Sequence, residues 1–236
     1  MDHFEVWKPL STFFVLYQRG DKIGHVLAWS SEAPLIIASG VLAVAFFRRD
    51  LHSIFYVIGM LFNEFLNYVL KHLIKAPRPL VHRKNFASRS LCFSASLLVT
   101  GYAMPSNHSQ FMFFMACYLF LFCTCRLPRQ HYSAVYLNSA CIFALLLSCI
   151  TAYSRLYLGF HTFQQICIGS LIGIIAGFCW FLLVHFILIP RFSYITDSRL
   201  GRFLMLQNLT FIPNVLQFDY LNARRASSRI PKKHGS

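Results

Sequence analysis

The stretch QICIGSLIGIIAGFCWFLLVHFILI, residues 165–189, decides the fold class of this chain because it contains no Lys, Arg, Asp or Glu. An α-helix rises about 1.5 Å per residue, and the hydrocarbon core of a bilayer is about 30 Å thick. A run of this length and composition therefore predicts a helix that crosses a membrane.

The composition of the whole chain extends this prediction beyond one helix. Of its 236 residues, 56% are hydrophobic and 13% are charged, whereas a soluble domain carries about 25% charged residues. We predict an all-α fold, a multi-pass bundle of membrane-spanning helices. Lys and Arg number 22 against 8 acidic residues. With no nucleic-acid motif present, this excess predicts cations that face lipid or substrate phosphates, and no nucleic-acid partner.

Five apolar stretches are long enough to cross the bilayer, at 26–47, 53–70, 109–125, 134–153 and 165–189. Glu32 and Pro34 weaken the first stretch, so we expect its start at the membrane interface. The N-terminus lacks the pattern of a signal peptide, which predicts insertion through an uncleaved span. Residues 1–189 are expected to form a membrane-embedded domain, and residues 190–236 a basic tail that lies partly along the membrane surface.

Three polar motifs occur where apolar stretches meet water: motif 1, KHLIKAPRP (71–79); motif 2, PSNH (105–108); and motif 3, SRLYLGFH (154–161). Five alternating spans place all three motifs on one membrane face. More Lys and Arg residues lie on the opposite face, which the positive-inside rule assigns to the cytoplasm. The motifs are therefore expected on the lumenal or outer face.

Motifs 1 and 2 offer groups that bind phosphate. Lys71 supplies a point charge and Arg78 a planar fork that matches two phosphate oxygens. Ser106 precedes an apolar run, where backbone N–H groups at a helix start attract an anion, and His108 follows on the first turn. The alternative is that both cations sit among lipid headgroups and that His108 is structural.

Motif 3 adds Arg155 and His161, and Gln165 follows four residues later on the same helix face. The Gln165 amide oxygen can hold one ring nitrogen of His161, as a histidine nucleophile requires. Three cations, a serine hydroxyl and two imidazoles suit phosphoryl transfer by positioning and charge stabilisation. Cys123 and Cys125 have no His or acidic cluster nearby, so we expect no metal and no other cofactor.

The three motifs resemble the signature of the phosphatidic acid phosphatase type 2 superfamily, and the surrounding stretches resemble its dolichyl-diphosphatase branch: GDKIGH (20–25), MPSNHSQF (104–111), YSRLY (153–157) and IPNVLQFDY (212–220). The resemblance implies that His161 is the nucleophile, forming a phosphohistidine. It implies that His108 is the general acid and base. Phosphoryl oxygens would be held by a set of motif residues, namely Lys71, Arg78, Ser106, Asn107 and Arg155.

Two residues depart from the superfamily pattern. Asn107 stands where the superfamily usually has glycine, and Gln165 stands where it usually has aspartate. A neutral amide stabilises an imidazolium less well than a carboxylate does. A diphosphate has a less basic leaving group than a monoester and needs less help, so Gln165 favours a diphosphate substrate. On this reasoning, Gln165→Asp leaves diphosphate cleavage unchanged or improved.

Glu64 is an unusual residue because a carboxylate within a span is costly and is often functional. Glu64, Asn67 and Lys71 lie three and four residues apart, so they share one helix face that leads to motif 1. We predict that Glu64 orients or charge-balances Lys71. The alternative is a structural hydrogen bond between helices.

The resemblance implies metal-independent hydrolysis of a polyprenyl diphosphate such as dolichyl diphosphate, a lipid carrier for N-glycosylation. It also implies an endoplasmic reticulum membrane location with the site facing the lumen. Two alternatives stay open, a lipid phosphate monoesterase of the same superfamily and a non-catalytic lipid-binding protein. The sequons at Asn107 and Asn208 are expected to carry no glycan.

Overall fold

The computed structural model describes residues 7–9, 15–18, 20–77, 102–127 and 130–229. Within them, five helical segments are long and apolar enough to cross a membrane: Lys22–Arg48, Leu51–Ile74, Asn107–Cys125, Ala134–Tyr157 and Phe163–Asp197. The predicted multi-pass helical bundle is thus confirmed. A small antiparallel hairpin of β1 (Trp7–Pro9) and β2 (Leu16–Gln18) precedes it.

The first span consists of two helices, α1 (Lys22–Ser30) and α2 (Ala33–Arg48). The break between them falls at Ser31 and Glu32. It therefore includes Glu32 and directly precedes the turn with Pro34, the two residues that weakened the apolar pattern in the sequence. Pro34 lies in the first turn of α2, where its missing N–H costs no helical hydrogen bond. Ser31 and Glu32 are both buried, so the break faces the protein interior.

Helix α3 (Leu51–Ile74) runs the full depth of the bundle. Asp50 caps its start by accepting hydrogen bonds from the Ser53 backbone N–H at 2.9 Å and the Ser53 hydroxyl at 2.8 Å. The helix ends where Lys75 adopts a left-handed conformation with φ of 51°. This cap and stop place Lys71 in the last turn, next to motif 1.

Three further helices bring motifs 2 and 3 to the same end of the bundle as Lys71. Helix α4 (Asn107–Cys125) begins within motif 2, and α5 (Ala134–Tyr157) ends within motif 3. Helix α6 (Phe163–Leu182) begins two residues after His161, and it continues as a π-helical turn over Leu183–Leu188. The sequence placed the starts of α4 and α6 within two residues of these positions.

Helices α4 and α6 make the closest packing contact in the bundle through a stripe of glycines. A Cβ atom on Gly169 would lie 2.7 Å from the Ser106 carbonyl oxygen, and one on Gly173 would lie 2.2 Å from the Gln110 carbonyl oxygen. Small residues spaced by four let two membrane helices meet backbone to backbone. The stripe fixes motif 2 directly against the first turns of α6.

The chain after Leu188, which includes the end of the fifth helical segment, folds back onto the bundle end that lies opposite the motifs. It contains α7 (Phe192–Asp197), α8 (Arg199–Phe203) and α9 (Val215–Arg229). The Leu51 N–H donates to the Gln207 carbonyl at 3.0 Å, and the Gln207 N–H donates to the Arg49 carbonyl at 2.9 Å. These bonds join the returning segment to the start of α3.

Candidate active site

The ends of four helices converge at one end of the bundle and bring the motifs together. Helix α3 supplies Lys71, α4 supplies Ser106 to His108, α5 supplies Arg155, and α6 follows His161. The segments before motif 2 and within motif 1 are also joined, since the Ala103 N–H donates to the Ala76 carbonyl at 2.9 Å. Arg78 lies outside the described residues.

His161 is buried, with 5% of its surface exposed. Its Nδ1 lies 3.3 Å from Gln165 Oε1, the contact that the spacing predicted. Gln165 Oε1 also accepts the Thr162 N–H at 3.1 Å, as part of a capping box at the start of α6. Because a backbone N–H can only donate, the atom that faces it must be the amide oxygen of Gln165. This bond therefore fixes the orientation of the Gln165 amide group.

The other end of the Gln165 amide fixes the tautomer of His161. Gln165 Nε2 donates to the Pro77 carbonyl oxygen at 3.3 Å, and a carbonyl can only accept. The oxygen facing His161 is therefore an acceptor, so Nδ1 of the neutral ring must carry the hydrogen. The basic lone pair of the imidazole then resides on Nε2, the nitrogen available for nucleophilic attack.

Gln165 also contacts all three motif regions. Its side chain reaches His161 of motif 3 and Pro77 of motif 1, and its backbone carbonyl accepts the Ser106 N–H of motif 2 at 3.2 Å. Sequence spacing predicted the first of these contacts and neither of the others. The orienting role that the sequence assigned to Gln165 stays a prediction.

Ser106 is fully buried at the N-cap of α4. Its hydroxyl makes no capping bond to the helix and instead accepts from the Ser109 hydroxyl at 3.2 Å. The first N–H groups of a helix have no intrahelical acceptor, and the helix dipole makes this end attractive to anions. The start of α4 is therefore suited to hold a phosphoryl oxygen, next to His108 on the first turn.

Arg155 and His161 belong to one tight turn. The Arg155 carbonyl accepts the N–H groups of Phe160 at 3.0 Å and His161 at 3.2 Å. The Arg155 guanidinium lies 3.8 Å from the centre of the Phe160 ring, a cation–π contact. A predicted phosphate-binding cation and the predicted nucleophile are thereby held in fixed relation.

Two residues of the first span support this turn, and the sequence did not assign either of them to the site. The Ser31 and Ser154 hydroxyls lie 2.8 Å apart, and the buried Glu32 carboxylate attracts the Arg155 guanidinium. Glu32 had been interpreted only as a weak point in an apolar stretch. Its position in a span was the available signal, because a buried carboxylate requires a partner.

Glu64 has a different hydrogen-bond partner from the one that helix spacing suggested. Asn107 Nδ2 donates to Glu64 Oε2 at 2.9 Å, which links α3 to the first residue of α4. Lys71 also attracts the Glu64 carboxylate. Glu64 can therefore both balance the charge of Lys71 and form the interhelical bond, and its role in charge balance stays a prediction. The bond gives Asn107, which stands where glycine is usual, a positioning contact.

A buried chain of amides supports motif 2 from the membrane side. Gln110 Nε2 donates to Asn63 Oδ1 at 3.0 Å, and Asn67 Nδ2 donates to Gln110 Oε1 at 2.7 Å. Buried amides in a membrane are retained when they bond to each other across helices. The sequence placed Asn67 on the helix face of Glu64, but it did not identify Gln110 as the shared partner of Asn63 and Asn67.

No group of three or more His, Cys, Asp or Glu side chains that could bind a metal occurs within the residues that the structure describes. The site instead presents cations, hydroxyls, imidazoles and helix-end N–H groups, a donor set suited to a phosphate anion. The absence of a metal from the reaction stays a prediction.

Comparison with known proteins identifies several relatives over most of the chain. Dolichyldiphosphatase 1 of Mus musculus is 34% identical over 236 residues, with 98% of this chain and 94% of the relative aligned. Lipid phosphate phosphatase gamma of Arabidopsis thaliana is 38% identical over 223 residues, with 93% and 92% aligned. Dolichyldiphosphatase of Saccharomyces cerevisiae is 30% identical over 205 residues, with 80% and 81% aligned.

No match to this chain was found among solved structures. The sequence profile of the PAP2 superfamily matches residues 53–189. The matched region is more than half of the chain and contains all three motifs together with Glu64 and Gln165. The chain therefore belongs to the PAP2 superfamily.

Proposed function

We propose that this protein is a hydrolase that cleaves a polyprenyl diphosphate, specifically dolichyl diphosphate, to dolichyl phosphate and inorganic phosphate. The observation that carries the proposal is the His161–Gln165 contact, which leaves Nε2 of a buried imidazole as the basic nitrogen. Relatives named dolichyldiphosphatase, which align with this chain over almost its full length, support the choice of substrate.

The first chemical step forms a phosphohistidine. His161 Nε2 attacks the terminal phosphorus, and the bond from that phosphorus to the bridging oxygen breaks. His108 donates a proton to the departing dolichyl phosphate. Charge on the transferred phosphoryl oxygens is stabilised by Lys71, Arg78 and Arg155 together with the groups of Ser106 and Asn107 at the start of α4.

The second step regenerates the enzyme. His108 takes a proton from water, the water oxygen attacks the phosphorus, and the bond from phosphorus to His161 Nε2 breaks to release inorganic phosphate. Gln165 keeps the hydrogen of the ring on Nδ1 throughout. A neutral amide suffices for this role because a phosphate monoester is a good leaving group.

We further propose the endoplasmic reticulum membrane as the location, with the active site facing the lumen and the lipid carrier for N-glycosylation as the product. The excess of basic residues on the opposite face supports this orientation. Asn208 of the sequon then faces the cytoplasm. A glycosidase-sensitive mobility shift that disappears in Asn208→Gln would contradict the orientation.

The same proposal divides the chain into a catalytic domain, residues 1–189, and a basic tail, residues 190–236. Every described residue assigned to the chemistry lies before residue 189. The tail contacts the opposite end of the bundle, where exposed apolar and basic side chains such as Phe203 and Arg224 suit a membrane interface.

The proposal is tested by phosphate release from dolichyl diphosphate by detergent-purified protein in the presence of a chelator, beside a His161→Ala control. We expect release that resists the chelator and disappears in the variant. The relative named lipid phosphate phosphatase makes phosphatidate the necessary second substrate. Turnover of phosphatidate alone would keep the mechanism and overturn the substrate, and loss of activity to the chelator would overturn the mechanism.

A further inference from the structure

A second cavity lies at the end of the bundle opposite His161. Its volume is about 450 Å³, and it lies among the end of α2, the start of α3, the end of α4 and the segment that returns after α8. It shares His52, Ser53 and Phe122 with an adjoining cavity of about 290 Å³ between α2, α3 and α4. The two cavities therefore adjoin, and together they are defined here as the lower groove.

The polar end of the lower groove carries a cation, Arg126, for which the described residues supply no acidic partner. Arg126 is half-buried there, and its Nε is buried with no hydrogen-bond partner among the residues described. No acidic side chain within the described residues lies within 4.0 Å of its guanidinium. Asp50, on the same wall, is already bound to Ser53 and Arg48.

Burial lowers the pKa of Arg126, although Tyr118 acts in the opposite direction. Arginine nevertheless stays protonated in proteins, so the charge remains. A cation that is partly removed from water is stabilised by an anion that forms charge-assisted hydrogen bonds with it. A second buried polar atom on the same wall, His52 Nδ1, also lacks a partner within the described part of the chain.

The other end of the lower groove is apolar. Its walls are mainly hydrocarbon and aromatic, from Val41, Tyr56, Met115 and Leu119. Met115 and Phe122 lie seven residues apart on α4, which gives the apolar part a length of about 10 Å along the helix. This length and lining suit a segment of a hydrocarbon tail.

The position of the lower groove in the bundle explains why it has a cationic end and an apolar end. Leu51 begins α3 and Cys125 ends α4, so we infer that Arg126 lies at headgroup depth and Met115 within the hydrocarbon. We propose that the lower groove binds a membrane lipid with an anionic phosphate headgroup, with the phosphate on Arg126 and one tail along Met115. Helix α3 separates this site from the active site by about 36 Å.

The test uses the full chain in detergent and native mass spectrometry with palmitoyl-oleoyl phosphatidylglycerol, phosphatidylcholine with the same chains, and inorganic phosphate. We expect tighter retention of phosphatidylglycerol than of phosphatidylcholine. Arg126→Gln is expected to weaken phosphatidylglycerol binding about tenfold or more and to bring it to the phosphatidylcholine level. Diphosphatase activity in each variant reports that the protein is folded.

A second pair of variants tests the tail. Val41→Phe fills the apolar part of the lower groove and is expected to weaken both lipids, whereas Leu42→Phe introduces phenylalanine on the exposed side of α2 and is expected to weaken neither. Equal phosphatidylglycerol binding by wild type, Arg126→Gln and Val41→Phe would overturn the proposal. Displacement of the lipid by inorganic phosphate, with Val41→Phe harmless, would also overturn it by assigning a phosphate site without a tail.

Discussion

Gln165→Glu isolates the hydrogen bond that joins the nucleophile to motif 1. Glutamate has the length of glutamine, so one carboxylate oxygen still accepts from Thr162 N–H and faces His161 Nδ1. The second oxygen replaces the Nε2 donor opposite the Pro77 carbonyl, 3.3 Å away. The substitution therefore leaves two acceptors facing each other in a site where residue 165 is 6% exposed.

The expected loss of activity in Gln165→Glu follows from the Pro77 carbonyl, which is left without its hydrogen-bond donor. A buried polar group that loses its hydrogen-bond partner costs about 1–3 kcal/mol. Arg78 follows Pro77 directly in the sequence, so this cost falls on the segment that carries a predicted phosphate-binding cation. A loss of about 1–3 kcal/mol corresponds to a decrease of about 5- to 150-fold in kcat/KM. The same reasoning revises the expectation for Gln165→Asp, which also removes the donor and is expected to lower activity.

The assay is phosphate release from dolichyl diphosphate, with kcat and KM determined separately. Gln164→Glu is the matched control because residue 164 precedes Gln165 and is exposed. We expect the control to retain wild-type kcat/KM and Gln165→Glu to fall in the stated range with the protein folded. Wild-type or higher activity in Gln165→Glu would refute the importance of the Pro77 bond and restore the view that a carboxylate here is harmless.

Two further predictions concern the supports of the site. Gly173→Ala places a methyl group 2.2 Å from the Gln110 carbonyl oxygen and is expected to destabilise the protein by about 1–3 kcal/mol, measured as a lower Tm. Gly40→Ala, where nothing lies within 4 Å, is the control, and equal Tm changes would contradict the backbone seam. Glu64→Leu is expected to lower kcat/KM more than Glu64→Gln does, because only leucine leaves Asn107 Nδ2 without an acceptor. Equal losses would assign the role of Glu64 to its charge beside Lys71.

The sequence predicted the number of spans, the shared bundle end of the motif residues and the contact between His161 and Gln165. All of these depend on local information: apolar length, alternation of spans, and residues four apart on one helix. The partners of Pro77, Asn107 and Gln110 depend on which helices are neighbours. Periodicity shows which residues share a face, but it does not show which helix that face meets.

The composition of the helices explains why the contacts between them could not be predicted from the sequence. In α6 most residues after Gln165 are apolar, so little besides the glycines at 169, 173 and 177 distinguishes the face that packs on α4. Glu32 was similarly interpreted from its local effect on hydropathy, whereas Arg155, whose guanidinium it attracts, lies 123 residues further along the chain. Long-range contacts of this kind require the assembled bundle.

The seam of glycines between α4 and α6 restricts how a long lipid reaches His161. Where two helices meet backbone to backbone, no side chain can rotate aside to open a lateral entrance from the bilayer for an isoprenoid tail. The outer face of α3 offers a different approach, because Leu61, Phe65 and Tyr68 are exposed there and lead toward Lys71. We expect the isoprenoid tail to lie along this exposed apolar surface of α3 while the diphosphate group enters the site from the bilayer surface.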